Sequence, residues 1–366
     1  MVEPGPDFQP PFCPRPGCAF HLNSTGWRFK KNGTHHRRFD DRAIQRYRCH
    51  HCGRSFSSQT FSTTYWLKRP DLLAPTLHGL LSGSAYRQIA RAQQVSPSTV
   101  ELQAARLGRH MLLVHEERRP RHSPSEPIVL DGFESFEHSQ YWITHLNTVV
   151  GAESHFCYAT SVAELRRKGR MKPRQKKRRA QLEERYGRPD PKSIEKSAAE
   201  VLALVVPPGV PEVTLRSDDH RAYPRALARL PDRSFRHEVT SSKLPRTTGN
   251  PLFPVNLLHL LMRHSGANQK RETIAWSKRN QSMLWRDALH RVWRNYVKHF
   301  SERRKKGSPA MRLGLTDRIL SWSELLAQRL FVTRMELPTP LDRYYWGRVP
   351  TRQIPNAREH RLRYAF

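Results

Sequence analysis

Residues 128–136 read IVLDGFESF, and this stretch decides the fold that we expect for the C-terminal half of the chain. It has the pattern of a β-strand, and residues 145–152 (HLNTVVGA) and 154–162 (SHFCYATSV) continue as two further strands joined by hairpin turns. A helix over 193–204 and a short strand over 213–218 (VTLRSD) follow, and then another helix and strand. Three antiparallel strands followed by alternating helices and strands predict an α/β domain built on a mixed sheet.

Two aspartates stand at the ends of apolar strand segments. Asp131 follows three apolar residues and precedes a glycine, and Asp218 ends the strand over 213–218. A buried carboxylate is costly unless it binds a cation or a partner. Two such carboxylates on neighbouring strands can bridge two Mg²⁺ ions roughly 3.5–4 Å apart, which activate an attacking oxygen and stabilise a leaving oxygen at a phosphodiester. Taken singly, each aspartate is as readily a turn residue at a strand end.

Four of the five cysteines lie in the first 52 residues, as C-x4-C, a spacer of 30 residues, and C-x2-C. Each pair can chelate one ion through a tight turn, and four thiolates around Zn²⁺ form a closed structural site. Two alternatives stay open, namely two unrelated pairs of buried cysteines and a redox pair. We predict a zinc ribbon whose ligands are Cys13, Cys18, Cys49 and Cys52.

The stretch after the ribbon has a helical pattern that contains a helix-turn-helix signature. Ser96 and Pro97 form a helix start signal, because the serine hydroxyl caps the first turn and proline there loses no hydrogen bond. Ala90 and Val100 are spaced to pack two helices at a steep angle, although Gln94 occupies the turn position that usually holds glycine. The second helix, ending near residue 107, is predicted to enter the DNA major groove, the alternative being an ordinary helical hairpin. The residues expected to contact DNA are Pro97, Ser98, Thr99, Arg106 and Arg109.

The charge of the whole chain favours a polyanionic partner. The 366 residues include 64 Lys and Arg against 32 Asp and Glu, which gives a net charge of +32. Such an excess goes beyond what solubility needs, so nucleic acid is the most economical partner, the alternative being a basic protein from an arginine-rich organism. Ten of the fourteen residues over 166–179 are Lys or Arg, and this run is either a DNA-contacting insertion or a solvated face.

No stretch of the sequence predicts a membrane segment. The longest apolar run, 201–206, has six residues, whereas a spanning helix needs roughly twenty. The first residues also lack the apolar stretch of a signal peptide. We therefore expect a cytoplasmic protein.

Changes in composition and pattern along the chain predict its domain organisation. A polar, proline-rich stretch precedes the first strand and is expected to be a linker. The expected parts are a zinc ribbon (1–60), a helix-turn-helix unit (61–115), the linker (116–126), an α/β catalytic domain (127–300) with a basic insertion (162–192), and a basic C-terminal extension (301–366).

Blocks along nearly the whole chain carry a resemblance to a known family. They are CPRPGC with CHHCGRSF, FSTTYWLKRPDL, SAYRQIAR with SPSTV, LDGFESF, LRSDDHRAYP and RHSGANQKRETIAWSKR. Together they resemble bacterial insertion-sequence transposases that combine a zinc ribbon, a helix-turn-helix and a ribonuclease H-like DDE catalytic domain. The resemblance implies that Asp131 and Asp218 are the first two catalytic acids. Asp219 is expected to point away, because strand side chains alternate.

The family's third catalytic acid lies on a helix after the last core strand, and here the sequence departs from the pattern. The helix that fits starts near Val255, and Asn256, His259 and Arg263 form a polar stripe on it that contains no carboxylate. Glu272 is the nearest carboxylate, although it is equally a surface residue paired to a basic neighbour. His259 is the other candidate, and imidazole suits Mn²⁺ better than Mg²⁺. The remaining alternative is that no competent third ligand exists.

The block that holds Glu272 is also basic and contains a tryptophan. Such a stretch fits phosphate contact and base stacking at a processed DNA end. The residues expected to contact DNA here are Asn268, Lys270, Arg271, Lys278 and Arg279, with Trp276 among them.

The sequence thus predicts a transposase that binds the terminal inverted repeats of its element and target DNA as a homo-oligomer, associated with the nucleoid. It is expected to use structural Zn²⁺ and catalytic Mg²⁺ or Mn²⁺. The alternative is a catalytically lapsed relative that only binds DNA, which the missing carboxylate favours. An RNA-binding or ribosome-associated protein is a weaker alternative, because the strand-end aspartates would then have no role.

Overall fold

The computed structural model describes residues 4–5, 7–270 and 273–354. The first folded unit is a small antiparallel sheet whose strands lie in the order β1-β2-β3. Phe12, Phe61 and Phe331 form a small apolar cluster that seats this unit on the C-terminal part of the chain. The strands are β1 (Phe29–His36), β2 (Ala43–Cys49) and β3 (Ser55–Ser57).

Three helices follow, α1 (Leu73–Leu81), α2 (Tyr86–Ala92) and α3 (Pro97–Arg118). Ala90 on α2 and Val100 on α3 are buried in the same core, as their spacing predicts. Gln94 takes a φ of 53° in the turn between the two helices, which is the left-handed conformation that glycine usually supplies. Ser96 caps α3, because its Oγ accepts a hydrogen bond from the Thr99 amide at 3.3 Å.

Helix α3 is longer than the sequence indicated, and it continues into the core instead of ending near residue 107. Its second half packs against α8 (Asn280–Val292), the helix that follows the basic block. Gly108 permits this close approach, since a Cβ at that position would overlap Trp285. The helical unit and the α/β unit therefore share one hydrophobic core.

The α/β unit is built on a five-stranded mixed sheet, which confirms the predicted α/β architecture on a mixed sheet. The strands are β4 (Ile128–Glu137), β5 (Ser139–Gly151), β6 (Cys157–Arg166), β7 (Val213–Asp218) and β8 (Phe235–Thr240). Their order is β6-β5-β4-β7-β8. Strands β4, β5 and β6 are antiparallel neighbours, whereas β7 pairs in parallel with β4 and with β8.

Helices cover both faces of this sheet. Two helices that pack against the sheet are α5 (Ser193–Val205) and α7 (Phe253–Ser265). Helix α6 (Ala222–Leu227) lies between them in the chain and packs against α5. Ser161 on β6 donates to the carbonyl of Ser197 on α5 at 2.7 Å, and the Phe133 ring on β4 lies 5.3 Å from the His259 ring on α7. Cross-strand pairing places Gly132, Asn147 and Ser161 on one face of the sheet. Phe133 follows Gly132 in the strand, so its side chain points to the other face. Helices α5 and α7 therefore lie on opposite faces.

Two segments expected to lie outside the folded units are instead part of the core. In the expected linker 116–126, Arg119 binds the buried carboxylate of Glu116 at 2.6 Å, and Glu126 accepts from the Ser154 amide at 2.8 Å. The polar composition of this segment predicted a linker, because composition alone does not show whether polar side chains are solvated or form buried hydrogen bonds. Residues 301–354 likewise place apolar side chains in the core. Their helices are α9 (Pro309–Arg312), α10 (Trp322–Leu325) and α11 (Leu341–Trp346).

The basic insertion forms one exposed helix, α4 (Pro173–Tyr186), in which only Leu182 is buried. No helix within the described ranges is long and apolar enough to cross a membrane.

Candidate metal centres and nucleic-acid surface

The four predicted zinc ligands converge at the base of the small sheet. The Sγ atoms of Cys13, Cys18, Cys49 and Cys52 all lie within 4.8 Å of one another, and the structure contains all four as free thiols. We call this group the cysteine cluster. Tetrahedral Zn²⁺ with Zn–S bonds of about 2.3 Å requires sulfur atoms about 3.8 Å apart. The Sγ atoms of Cys13 and Cys52 are 3.7 Å apart, so the cluster fits the ion.

Hydrogen-bond donors surround one of these thiols. Burial alone raises the pKa of Cys49, but the backbone amides of Cys52 and His51 and the Trp27 indole lower it to about 7. The indole Nε1 lies 3.2 Å from the Cys49 sulfur. Donors placed in this way stabilise a thiolate, the form that binds metal. All four sulfurs meet in one place, which excludes two unrelated pairs.

The two aspartates predicted to bind cations lie side by side. The parallel register pairs Leu130 with Ser217, so the next position along each strand sets Asp131 level with Asp218. Cα atoms on adjacent strands are about 5 Å apart. Asp131 Oδ1 accepts from the Gly132 amide at 2.7 Å, and Asp218 Oδ1 accepts from the His220 amide at 3.0 Å. One oxygen of each carboxylate is thus held by the backbone.

Burial first, and then the neighbouring Asp218 carboxylate, raise the pKa of Asp131 to about 6, although the Gly132 amide opposes the shift. The buried Tyr223 hydroxyl beside them has its pKa raised, by burial first and then by both carboxylates. These shifts report an excess of negative charge in a poorly solvated place. A divalent cation is the ligand that such a place favours.

His259 reaches this pair from α7. Its Nδ1 lies 3.7 Å from Asp131 Oδ2, and its buried Nε2 has no hydrogen-bond partner among the described residues. Burial, with Arg263 nearby, lowers the pKa of His259 to about 3, so the ring is neutral and carries a lone pair. Arg263 packs 4.3 Å over the Phe133 ring, so two of the three residues of the predicted stripe, His259 and Arg263, face the sheet. We call Asp131, Asp218 and His259 the carboxylate site.

The other candidate for the third ligand, Glu272, lies outside the described residues, as does Arg271. Within the described ranges, the cysteine cluster is the only group of three or more His, Cys, Asp or Glu side chains whose ligand atoms all lie within 4.8 Å. The three residues of the carboxylate site are therefore more widely spaced than the ligands of a single closed ion site.

Sequence reasoning missed a histidine that lines the opposite side of the same strand. The His145 ring lies directly over Gly132, where a Cβ would overlap it. Its Nε2 lies 3.2 Å from Asn147 Oδ1, and its Nδ1 lies 3.8 Å from Glu134 Oε1. His145 lowers the pKa of Glu134, and burial opposes this shift. The available signal was the presence of two strongly polar residues, His145 and Asn147, within a largely buried strand.

A basic groove lies between the insertion and the starts of α5 and α6. Its volume is about 410 Å³, and His220, whose amide binds Asp218, is part of its wall. Two acids in the wall are already paired, Asp190 with Lys196 at 2.6 Å and Glu195 with Arg229 at 2.6 Å. The cationic residues that line this groove are Arg166, Arg167, Lys168, Arg179, Arg188, Arg221 and Arg225.

The residues predicted to contact DNA from the helix-turn-helix fall into two sets. Pro97 and Ser98 are exposed and Thr99 is half-buried at the start of α3. Arg106 is turned inward, where its Nη1 donates to the Thr63 carbonyl at 3.1 Å, and Arg109 packs on Trp285. Arg106 and Arg109 therefore do not lie on the exposed start of α3, because α3 is flanked by core beyond its first two turns, and their contact with DNA phosphates stays a prediction.

The second predicted DNA-contacting stretch lies at the far end of β4. Ser277 bridges to Glu137, six residues along the strand from Asp131, or about 20 Å. Lys270 and Lys278 are exposed, and Lys278 Nζ lies 3.9 Å over the Trp276 ring. Asn268 is buried and Arg279 is half-buried.

Comparison with known proteins identifies no family. No family model matches the chain, and no curated protein matches it. Among solved structures, a chain from the cryo-EM structure of the simian T-cell lymphotropic virus intasome in complex with PP2A regulatory subunit B56 gamma is similar at 11% identity and a TM-score of 0.22. That match covers 62% of this chain and 68% of the other. A TM-score this low supports no inference about fold or function.

Proposed function

We propose that this protein is a DDE-type transposase whose ribonuclease H-like domain cuts and joins DNA with divalent cations. The observation that carries the proposal is the carboxylate site itself. Asp131 and Asp218 are level on adjacent strands, and His259 lies 3.7 Å from Asp131. His220, whose amide binds Asp218, also lines the basic groove. Paired carboxylates that can hold divalent cations are what metal-dependent phosphodiester chemistry needs.

The residues around the carboxylate site have separable roles in this proposal. Mg²⁺ or Mn²⁺ held by Asp131 and Asp218 would stabilise charge at the phosphorus and activate the attacking oxygen. The amides of Gly132 and His220 orient one oxygen of each carboxylate. The neutral His259 ring offers either a lone pair to a cation or an N–H to Asp131. Water is the first nucleophile and the freed 3′-hydroxyl the second, so no covalent protein intermediate forms.

The remaining surfaces supply DNA binding. The exposed start of α3, with Pro97, Ser98 and Thr99, would contact the double-stranded ends of the mobile element. The basic groove would hold backbone phosphates near Asp218, and the lysines at 270 and 278 would contact DNA further along β4. The cysteine cluster, with Zn²⁺, would hold the small sheet in its DNA-binding shape. Two ends and one target require more than one active site, so the active form would be a homo-oligomer on DNA.

A second candidate function is DNA binding without cleavage. It is favoured by the absence of a third carboxylate among the described residues around Asp131 and Asp218. It is also favoured because the ligand atoms of Asp131, Asp218 and His259 do not all lie within 4.8 Å of one another. A protein of this kind would bind element ends and block or regulate them.

Strand cleavage on the DNA that flanks the gene distinguishes the two functions. The parent protein should nick duplexes that carry the flanking inverted repeats in Mg²⁺ or Mn²⁺. Asp131→Ala and Asp218→Ala should each lose at least about a thousandfold in rate while keeping DNA affinity, because charge stabilisation at phosphorus is lost. The control is Asp219→Ala, an exposed neighbour bonded to Ser242, which should cleave like the parent. A parent that binds these ends but never cleaves them establishes the second function.

A further inference from the structure

A small cavity lies where α3 meets the C-terminal part of the chain, well away from the carboxylate site. Its volume is about 40 Å³. We call it the arginine pocket, and its polar lining consists of Thr63, Arg106, Arg109, His110, Arg329 and Tyr345. No acidic residue is part of this lining.

The three arginines are held in place by carbonyl groups and aromatic rings. Arg106 donates to the Thr63 carbonyl and Arg329 donates to the Thr60 carbonyl, both at 3.1 Å. Arg109 lies 5.6 Å from the centre of the Trp285 ring, and Arg329 lies 4.6 Å from that of Phe331. These contacts fix the position of each guanidinium group. Arg106 makes one described hydrogen bond and Arg109 makes none, so most of their N–H donors remain for a ligand.

The arginine pocket carries an excess of positive charge. Burial first, and then repulsion from Arg109 and Arg329, lower the pKa of Arg106 to about 9. Burial also lowers the pKa of Arg109 and of Arg329 to about 10. His110, which faces the same cavity, is held neutral by burial, which lowers its pKa to about 4. Like charges brought together away from water are costly unless an opposite charge joins them.

We propose that the arginine pocket binds one phosphate-class oxyanion, gripped by Arg106, Arg109 and Arg329. The planar fork of a guanidinium group matches two oxygens of such an anion. A cavity of this volume admits a few water molecules or one tetrahedral anion, and it is too small for a nucleoside. The anion is either free inorganic phosphate or a backbone phosphate of bound DNA. The pocket joins α3 to residues that are more than 200 positions later in the sequence, so its occupant stabilises that junction.

Thermal unfolding of the full-length protein in phosphate tests this site. Inorganic phosphate should raise the Tm by a few degrees relative to chloride at equal ionic strength, because it binds only the folded state. Arg109→Gln should lose this response. Arg106→Lys, which keeps the charge but not the fork, should reduce it. The matched control is Arg118→Gln, an exposed arginine on the same helix, which should respond like the parent.

A DNA-binding experiment separates the two sources of the anion. If the pocket takes a backbone phosphate, Arg109→Gln should lower the slope of log K against log[salt] for a 30-base-pair duplex by about one more than Arg118→Gln does. Saturating DNA should then abolish the phosphate-induced rise in Tm. If the pocket takes free phosphate, the two slopes should agree and the Tm response should persist with DNA.

The proposal is overturned if phosphate shifts the Tm of the parent no more than that of Arg109→Gln. It is also overturned if Arg109→Gln is more stable than the parent in phosphate, because the arginines would then repel one another without a ligand. Neither result depends on strand cleavage, so this test stands apart from that of the proposed function.

Discussion

The cysteine cluster and the carboxylate site differ in how the chain assembles them. The cysteines come in two pairs, each on its own tight turn, and one small sheet brings the pairs together. The carboxylate site takes Asp131, Asp218 and His259 from two strands and a helix that are far apart in sequence. Short spacing therefore specifies a metal site almost by itself, whereas a site spread over a sheet is specified only when its register and helix packing are known.

The two sites also differ in what holds their shape without metal. The cysteine cluster sits in a unit with little core of its own, beside a small cluster of phenylalanines. The carboxylate site sits on the central strand of the main sheet, over a continuous core. We expect the first site to need its ion for folding and the second to form without one.

Removing zinc should produce the largest effect. Structural Zn²⁺ contributes on the order of 10 kcal/mol in small metal-dependent units, so Cys49→Ser should leave the small sheet unfolded while the main sheet stays folded. Metal analysis should find one Zn²⁺ per parent chain and none in the variant, and proteolysis should cut the variant within residues 1–60. Cys157→Ala, which removes the one buried cysteine outside the cluster, is the control and should keep its zinc. If residues 1–60 of the parent stayed resistant to proteolysis after a chelator had removed the zinc, the cysteine cluster would not need its ion for folding, and the expected difference between the two sites would be wrong.

The carboxylate site should instead lower the free energy of unfolding when no divalent cation is bound, because two carboxylates then lie close together in a poorly solvated place. The pKa of Asp131 is raised to about 6 from 3.8, so its stability contribution is greatest at low pH and is lost as the pH rises through 6. Asp131→Asn removes the buried charge and should stabilise the protein at pH 7 by up to about 3 kcal/mol, with no gain near pH 3.5. Urea unfolding without added divalent cations measures this difference. The exposed Asp219→Asn should show no such gain, and equal stability of Asp131→Asn and the parent at pH 7 would contradict the expected burial.

The sequence could predict the strands, the two aspartates and the cysteines because each depends on a local pattern. It left the third ligand open between Glu272, His259 and none, since helical spacing does not show how close the His259 ring comes to Asp131. It did not show that Arg106 is turned inward, because helical periodicity does not show that α3 continues into the core. It missed His145, whose position depends on pairing between β4 and β5. Each failure concerns tertiary contact between elements that are individually well predicted.

A smaller effect should come from the glycine beside Asp131. Gly132→Ala places a methyl group where the His145 ring lies, and relief of that overlap should cost about 1–3 kcal/mol of stability and displace Asp131. His145→Ala should restore much of this loss when combined with Gly132→Ala, because the ring is then absent. A double-mutant cycle in urea measures the coupling. Additive losses from the two substitutions would show that the ring does not occupy this space.

Binding of Mn²⁺ to the zinc-loaded protein tests the central claim most directly. Electron paramagnetic resonance titration should detect saturable Mn²⁺ binding in the parent and in Asp219→Asn, and none in Asp131→Asn or Asp218→Asn at the same concentrations, because carboxylate ligands are replaced by neutral amides. Weaker binding in His259→Ala would identify the imidazole as a ligand, and unchanged binding would make it an orienting group for Asp131. Mn²⁺ binding that is equal in the parent, Asp131→Asn and Asp218→Asn would contradict the account.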